Sequence, residues 1–188
     1  MASDRIGHDH EGGPGIRQHP AGYRVRVPHP TQQQPAPTQQ KYQVRFAWGA
    51  DGARRITPGA HLVVWVDALP EPGPTVVPQP ELPTGAERMT VGLGAGTDVA
   101  DRVTSLQTGL GDRCVVAVVA AGPAFAVEDL LAAGEVIDAL AARGIDHSSP
   151  EAAVACAAFT GLRRAVKHLV SASENGVALA EREQMRGA

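Results

Sequence analysis

The stretch Cys114-Val115-Val116-Ala117-Val118-Val119-Ala120, followed by Gly122-Pro123 and then by Phe125-Ala126-Val127-Glu128-Asp129-Leu130-Leu131, decides the fold. An uninterrupted apolar run of this length, with no alternation, predicts a strand covered on both faces, as in a parallel sheet. Gly122 and Pro123 break it. From about Val127 to Arg143 the spacing changes. Val127, Leu130, Leu131, Gly134, Ile137, Leu140 and Ala141 recur at helical intervals, and Gly144 stops the helix they predict.

The same alternation of strand and helix extends in both directions. Upstream, Leu62-Val63-Val64-Trp65-Val66 is a second continuous apolar run, ending at Asp67. Val44, Phe46 and Trp48 alternate with Gln43, Arg45 and Ala47, which predicts a half-buried strand. Gly49-Ala50-Asp51-Gly52 then reads as a turn. Met89–Leu93 predicts a short strand, and Asp98–Leu106 a helix capped by Thr97 or Asp98. Downstream, Ser148 with Glu151 fits a capping box, and Pro150 suits a first helical turn. That last helix is expected to run through Ala152, Ala155 and Leu162 toward Leu169. The pattern is that of an α/β domain with a mostly parallel sheet flanked by helices.

Composition divides the chain. Residues 1–41 carry His8, His10, His19 and His29, several prolines and the runs Gln32-Gln33-Gln34 and Gln39-Gln40. Such a segment cannot bury enough apolar surface to offset the entropy of ordering, so it is expected to be a disordered tail preceding an α/β domain over 42–188. Pro70, Pro72, Pro74, Pro78, Pro80 and Pro83 exclude a helix between the second and third strands. Aromatic residues are only 4% of the chain, so the core falls to Val, Leu, Ala and Gly. A net charge of -3 argues against nucleic acid, whose phosphates call for a basic surface. No apolar stretch reaches membrane-spanning length, and no secretory core is present near Met1, which points to a cytoplasmic protein without membrane contact. Cys114 and Cys156 sit in apolar runs and read as buried structural thiols.

In an open α/β sheet, ligands bind beyond the carboxyl ends of the strands. Asp67 follows one strand, and Glu128 and Asp129 open the helix after another. If those strands are neighbours, three carboxylates meet on one rim. Mg²⁺ favours such hard oxygen ligands and commonly takes one or two carboxylates with water and phosphate. Helix dipole complementarity alone also accounts for Glu128 and Asp129, and turn capping for Asp67, so both accounts stay open. Arg163, Arg164, Lys167 and His168 form a basic patch, readable as a solvated helix face or as an anchor for phosphate or sulfonate. Gly92-Leu93-Gly94-Ala95-Gly96-Thr97 lacks the last glycine of a dinucleotide fingerprint, and Asp98 and Asp101 put negative charge where pyrophosphate would sit. No G-x-S-x-G elbow occurs.

Several segments together resemble the 2-phosphosulfolactate phosphatase family. They are Val44-Arg45-Phe46-Ala47-Trp48-Gly49-Ala50-Asp51-Gly52-Ala53, Val63-Val64-Trp65-Val66-Asp67-Ala68-Leu69, Gly94-Ala95-Gly96-Thr97-Asp98-Val99-Ala100 and Phe125-Ala126-Val127-Glu128-Asp129-Leu130-Leu131-Ala132-Ala133-Gly134. Ser171–Gly176 with Leu179 is similar to a further small motif, and Gly85-Ala86-Glu87-Arg88 to a central one. The resemblance implies Mg²⁺-dependent hydrolysis of a phosphate monoester of a small acid. Asp67, Glu128 and Asp129 would be metal ligands or acid/base groups, and Arg88 or Arg163 would contact phosphate. The chain differs where Pro70-Glu71-Pro72-Gly73-Pro74 replaces the family's turn rich in Arg, Ser and Thr. A non-catalytic relative that binds a metabolite or a protein therefore stands as the alternative, and a homo-oligomer is compatible with either.

Overall fold

The chain enters the domain through β1, Val44–Trp48, and immediately winds into α1, Gly49–Ile56. Then come β2, Leu62–Val66; β3, Glu87–Val91; α2, Gly96–Leu110; β4, Val116–Ala120; and α3, Val127–Ala142. Three helices close the chain: α4, Pro150–Leu162; α5, Val166–Ser171; and α6, Glu174–Gly187. This computed structural model describes residues 36–70, 85–122 and 124–187. The expected tail up to residue 35 and the proline-rich stretch over 71–84 lie outside the described residues.

The four strands form one sheet in the order β1-β4-β2-β3, with every neighbouring pair parallel. Fold class and sheet direction are those expected from the apolar runs. β2 and β4 are buried at every position, as continuous Val-rich strands in the middle of a parallel sheet must be. One face presents Val44, Phe46, Leu62, Val64, Val66, Val116, Val118 and Ala120 to α2, α3 and α4, and holds the main core. The other presents Ala47, Val63, Trp65, Ala117 and Val119 to Ala53 and Ile56 of α1. Each fully buried Val, Leu or Ile contributes about 1.5–3 kcal/mol.

α3 and α4 pack closely because Gly134 lacks a side chain. A Cβ there would overlap the Ala155 carbonyl and stand 2.7 Å from Cβ of Phe159. Gly144 ends α3 at φ +77, with Ile145 N–H donating to the Leu140 carbonyl at 3.0 Å.

Five local expectations are corrected. Gly49–Gly52 is the first turn of α1, because Gly52 lets the helix press against Ala47. β3 runs over Glu87–Val91, two residues before the expected Met89–Leu93. α2 begins at Gly96 without a side-chain cap from Thr97 or Asp98. The cap of α4 is Ser149 rather than Ser148, its hydroxyl accepting from Ala152 N–H at 3.1 Å. The last helix breaks over Arg163–Ala165, where the Ala165 N–H reaches back to the Leu162 carbonyl at 2.8 Å.

Gln39 and Gln40, assigned by composition to the tail, engage the sheet. The Gln39 amide donates to the Phe46 carbonyl at 2.9 Å and accepts from its N–H at 3.0 Å, covering the outer edge of β1 as another strand would. Arg45 is buried without a carboxylate. Its guanidinium donates to the carbonyls of Gln40, Tyr42, Ile56 and Pro58, so the desolvated cation is held by backbone dipoles alone among the described partners.

Candidate functional site

Four parallel strands place all their carboxyl ends on one rim, at Trp48, Ala120, Val66 and Val91 in sheet order. β1 feeds α1 on one face, whereas its neighbour β4 feeds α3 on the other. Their connections therefore part at the β1–β4 boundary, the position at which sheets of this class bind ligands. Asp67 N–H donates to the Val91 carbonyl at 2.8 Å and Ala121 N–H to the Val66 carbonyl at 2.8 Å. The ladder is thus carried one residue past each strand, and Asp67 stands at the edge of the rim.

Asp129 lies in the first turn of α3 and joins two of these ends. Its Oδ1 accepts from Ala68 N–H at 2.8 Å and its Oδ2 from Gly122 N–H at 2.7 Å. Gly122 must be glycine for this approach, since a Cβ would stand 2.8 Å from Cβ of Ala126 and 2.9 Å from Oδ2 of Asp129. The carboxyl is buried at 4% exposure. Burial pushes its pKa up to about 6 against the opposing pull of the two backbone N–H groups, and the nearby charges of Asp67 and Glu128 push it further.

Glu128 is buried as well, at 3% exposure. Its Oε1 accepts from Nδ2 of Asn175, at the start of α6, at 2.5 Å. Its Oε2 is buried with no hydrogen-bond partner. A desolvated carboxylate oxygen left unpaired costs free energy, which the positive end of α3 offsets only in part. Asp67 and Glu128 both lie close enough to Asp129 for their charges to act on its carboxyl.

The two arginines belong to other parts of the fold. Arg88 sits mid-strand on the edge strand β3, opposite Val63, whereas the rim lies beyond the pair Val66 and Val91. Arg163 follows α4 and pairs with Asp138 at 2.5 Å, its guanidinium also lying over Phe159. Asp138 is about 13 Å further along α3 than Asp129, at 1.5 Å per residue. Arg163 instead borders a cleft of about 510 Å³ with Lys167, Gly94, Gly96 and Glu135. There Gly94, at φ +94, donates its N–H to Oε2 of Glu135 at 2.6 Å, and Gly96 packs against Ala139 of α3. The glycine run therefore serves a tight turn and close packing, the contact being with α3.

No family model, curated protein or solved structure matches this chain.

The rim's own chemistry then carries the functional reading. Among the described residues no three Asp, Glu, His or Cys side chains stand close enough to enclose a metal ion. Mg²⁺ asks for less, because one or two carboxylates suffice when water and phosphate complete its shell. At this rim Oε2 of Glu128 is buried without a partner, and the charges of Glu128 and Asp67 both reach Asp129. Asp129 itself is largely spent on Ala68 and Gly122.

Next to the end of β1 an apolar groove of about 360 Å³ is lined chiefly by Phe46, Trp48, Phe125, Leu130, Pro150 and Val154. Phe125 is 85% exposed at its lip. Cys114 and Cys156 are free thiols, Cys114 buried and pushed up to about 11 by that burial. His61 and His147 secure the opposite end of the sheet. His61 Nδ1 accepts from Val115 N–H at 2.8 Å, and the His147 carbonyl accepts from the N–H groups of Gln43 and Val44. Asn175 is the rim residue that sequence reasoning passed over. The motif Ser171–Gly176 was its only signal. No helix among the described residues is long and apolar enough to cross a membrane.

Proposed function

We propose that this chain is a 2-phosphosulfolactate phosphatase-like protein whose carboxyl rim takes a small phosphorylated acid together with Mg²⁺ and hydrolyses the phosphate monoester. The observation that carries the reading is the buried, unpartnered oxygen of Glu128, next in sequence to Asp129, on whose carboxyl the charges of both Glu128 and Asp67 act. Bound Mg²⁺ would neutralise phosphate charge and lower the pKa of a coordinated water. Glu128 and Asp67 would hold the ion. Asp129 would keep the ends of β2 and β4 at a fixed separation, and its carboxyl, at about 6, can exchange a proton with a nearby water close to neutrality.

A non-catalytic relative is the second reading, and two observations favour it. Arg163 pairs with Asp138 away from the acids, so it is not placed to take the phosphoryl charge. The groove beside the rim is apolar, suited to a metabolite or a protein segment rather than to phosphate.

Phosphate release from a panel of small phosphoesters, with and without Mg²⁺, separates the two. The comparison protein carries Asp67→Ala together with Glu128→Gln. Mg²⁺-dependent release that the double variant loses supports the phosphatase. Release no greater than that of a folded double variant, for every ester, leaves the binding protein.

A further inference from the structure

The glycine run after β3 and the basic patch after α4 are far apart in sequence, yet both line one cleft of about 510 Å³. Clefts of that size commonly hold a small organic molecule. This one lies past the carboxyl end of β3, between the turn into α2 and the middle of α3, on the side where such sheets bind ligands.

Its walls carry charge of both signs. Arg163 and Asp138 pair with each other, and the Arg163 guanidinium also lies over the Phe159 ring, so that couple is already engaged. One cation and one anion are left. Among the described residues Lys167 has no ion pair. Glu135 is half-buried, and its Oε2 accepts from Gly94 N–H at 2.6 Å, whereas its Oε1 has no partner among the described residues. The rest of the wall is apolar. Leu93 packs against the cluster that holds Phe159 and Val166, and all three line the cleft.

These features select among ligands. A doubly charged phosphate would enter a cleft already lined by two carboxylates, and juxtaposed like charges are costly. A wholly apolar molecule would desolvate Lys167 and Glu135 without giving either a partner. A ligand with one positive group, one negative group and an apolar body satisfies every wall.

We propose that this cleft binds a small zwitterion, an α-amino acid with an apolar side chain. Lys167 takes the carboxylate, Oε1 of Glu135 takes the ammonium, and Leu93, Phe159 and Val166 receive the side chain. The acids of the carboxyl rim play no part, so the site stands whether or not the rim binds Mg²⁺.

The test is amide NMR on the full chain, titrated in turn with L-valine, L-leucine and L-phenylalanine. At least one should shift the amides of Gly94, Thr97, Glu135 and Lys167 saturably. For the tightest of them, the analogue lacking the ammonium and the analogue lacking the carboxylate should each bind about tenfold more weakly, as expected for a lost hydrogen bond between charged groups. Lys167→Gln and Glu135→Gln should show a similar loss. Lys167 is exposed, and Glu135→Gln retains a carbonyl acceptor for Gly94 N–H, so the fold survives both changes. Silence from all three amino acids overturns the proposal. Equal binding of the analogue without the ammonium, or displacement of the amino acid by inorganic phosphate, overturns it in favour of a plain anion site. Affinity within about twofold of wild type in either variant overturns the assignment as well.

Discussion

The carboxylate of Asp129 accepts the backbone N–H of Ala68 at 2.8 Å, bolting the start of α3 to the end of β2, 61 residues upstream. The bond spans the β2–β4 boundary, since the other oxygen holds Gly122 after β4. Residues far apart in sequence thus set the width of the rim, and a proton on this one carboxyl changes the charge there.

That proton gives the first expectation. The Asp129 carboxyl rises from 3.8 in the unfolded chain to about 6 in the folded one, chiefly through burial. The folded state binds the proton more tightly, so this group's stabilisation is fully present below about pH 4 and is lost as pH rises through 6. The loss amounts to up to about 3 kcal/mol. Urea unfolding of wild type and Asp129→Asn at pH 4, 5, 6 and 7 checks it. The stability difference between them should shift against wild type with rising pH, and a flat difference would contradict it.

Gly134→Ala tests the α3–α4 contact. The new methyl meets the Ala155 carbonyl and Phe159 at once, and backbone cannot move aside cheaply. A loss of about 1–3 kcal/mol in denaturant unfolding is expected. Gly109→Ala, where nothing stands within 4 Å of the added Cβ, should not destabilise.

The serine pair before α4 gives a sharper comparison. Ser149→Ala removes the cap on Ala152 N–H and is expected to cost about 1 kcal/mol. Ser148→Ala should cost less. Equal effects in thermal or urea unfolding would place the cap one residue earlier, where the sequence pattern put it.

Arg163→Ala should leave the rim untouched. Its ion pair with Asp138 is half exposed, so stability should change by less than about 1 kcal/mol. If the chain hydrolyses a phosphoester, KM should stay within about twofold of wild type, because a guanidinium this far along α3 contributes no uniform binding to the ester. A large rise in KM would bring the substrate into the cleft at Gly94 and Lys167 instead.

Much of this architecture was legible in the residues themselves. Leu62–Val66 and Val116–Ala120 are apolar at every position, and only the middle of a parallel sheet buries both faces of a strand. Parallel strands end on one side, which is why Asp67, Glu128 and Asp129 could be expected to meet. What escaped depended on tertiary contact. Gly49 and Gly52 read as a turn because glycine is a poor helix former, yet packing of Ala53 and Ile56 against β1 and β4 overrides that preference. The two backbone bonds of Asp129 follow from β4 lying beside β2, an adjacency no local pattern reports. Arg88 and Arg163 were tied to phosphate through the resemblance, and Arg163 instead pairs with Asp138, well along α3 from the acids.

The most direct test of the rim is paramagnetic. Mn²⁺, added in small steps to the full-length chain under NMR observation, should first broaden the amides of Asp67, Ala68, Gly122, Glu128 and Asp129. Glu128→Gln should abolish that selectivity. Broadening that begins instead at Gly94 and Lys167, or that never reaches the strand ends, would contradict the placement of a cation-assisted phosphate site at the carboxyl rim.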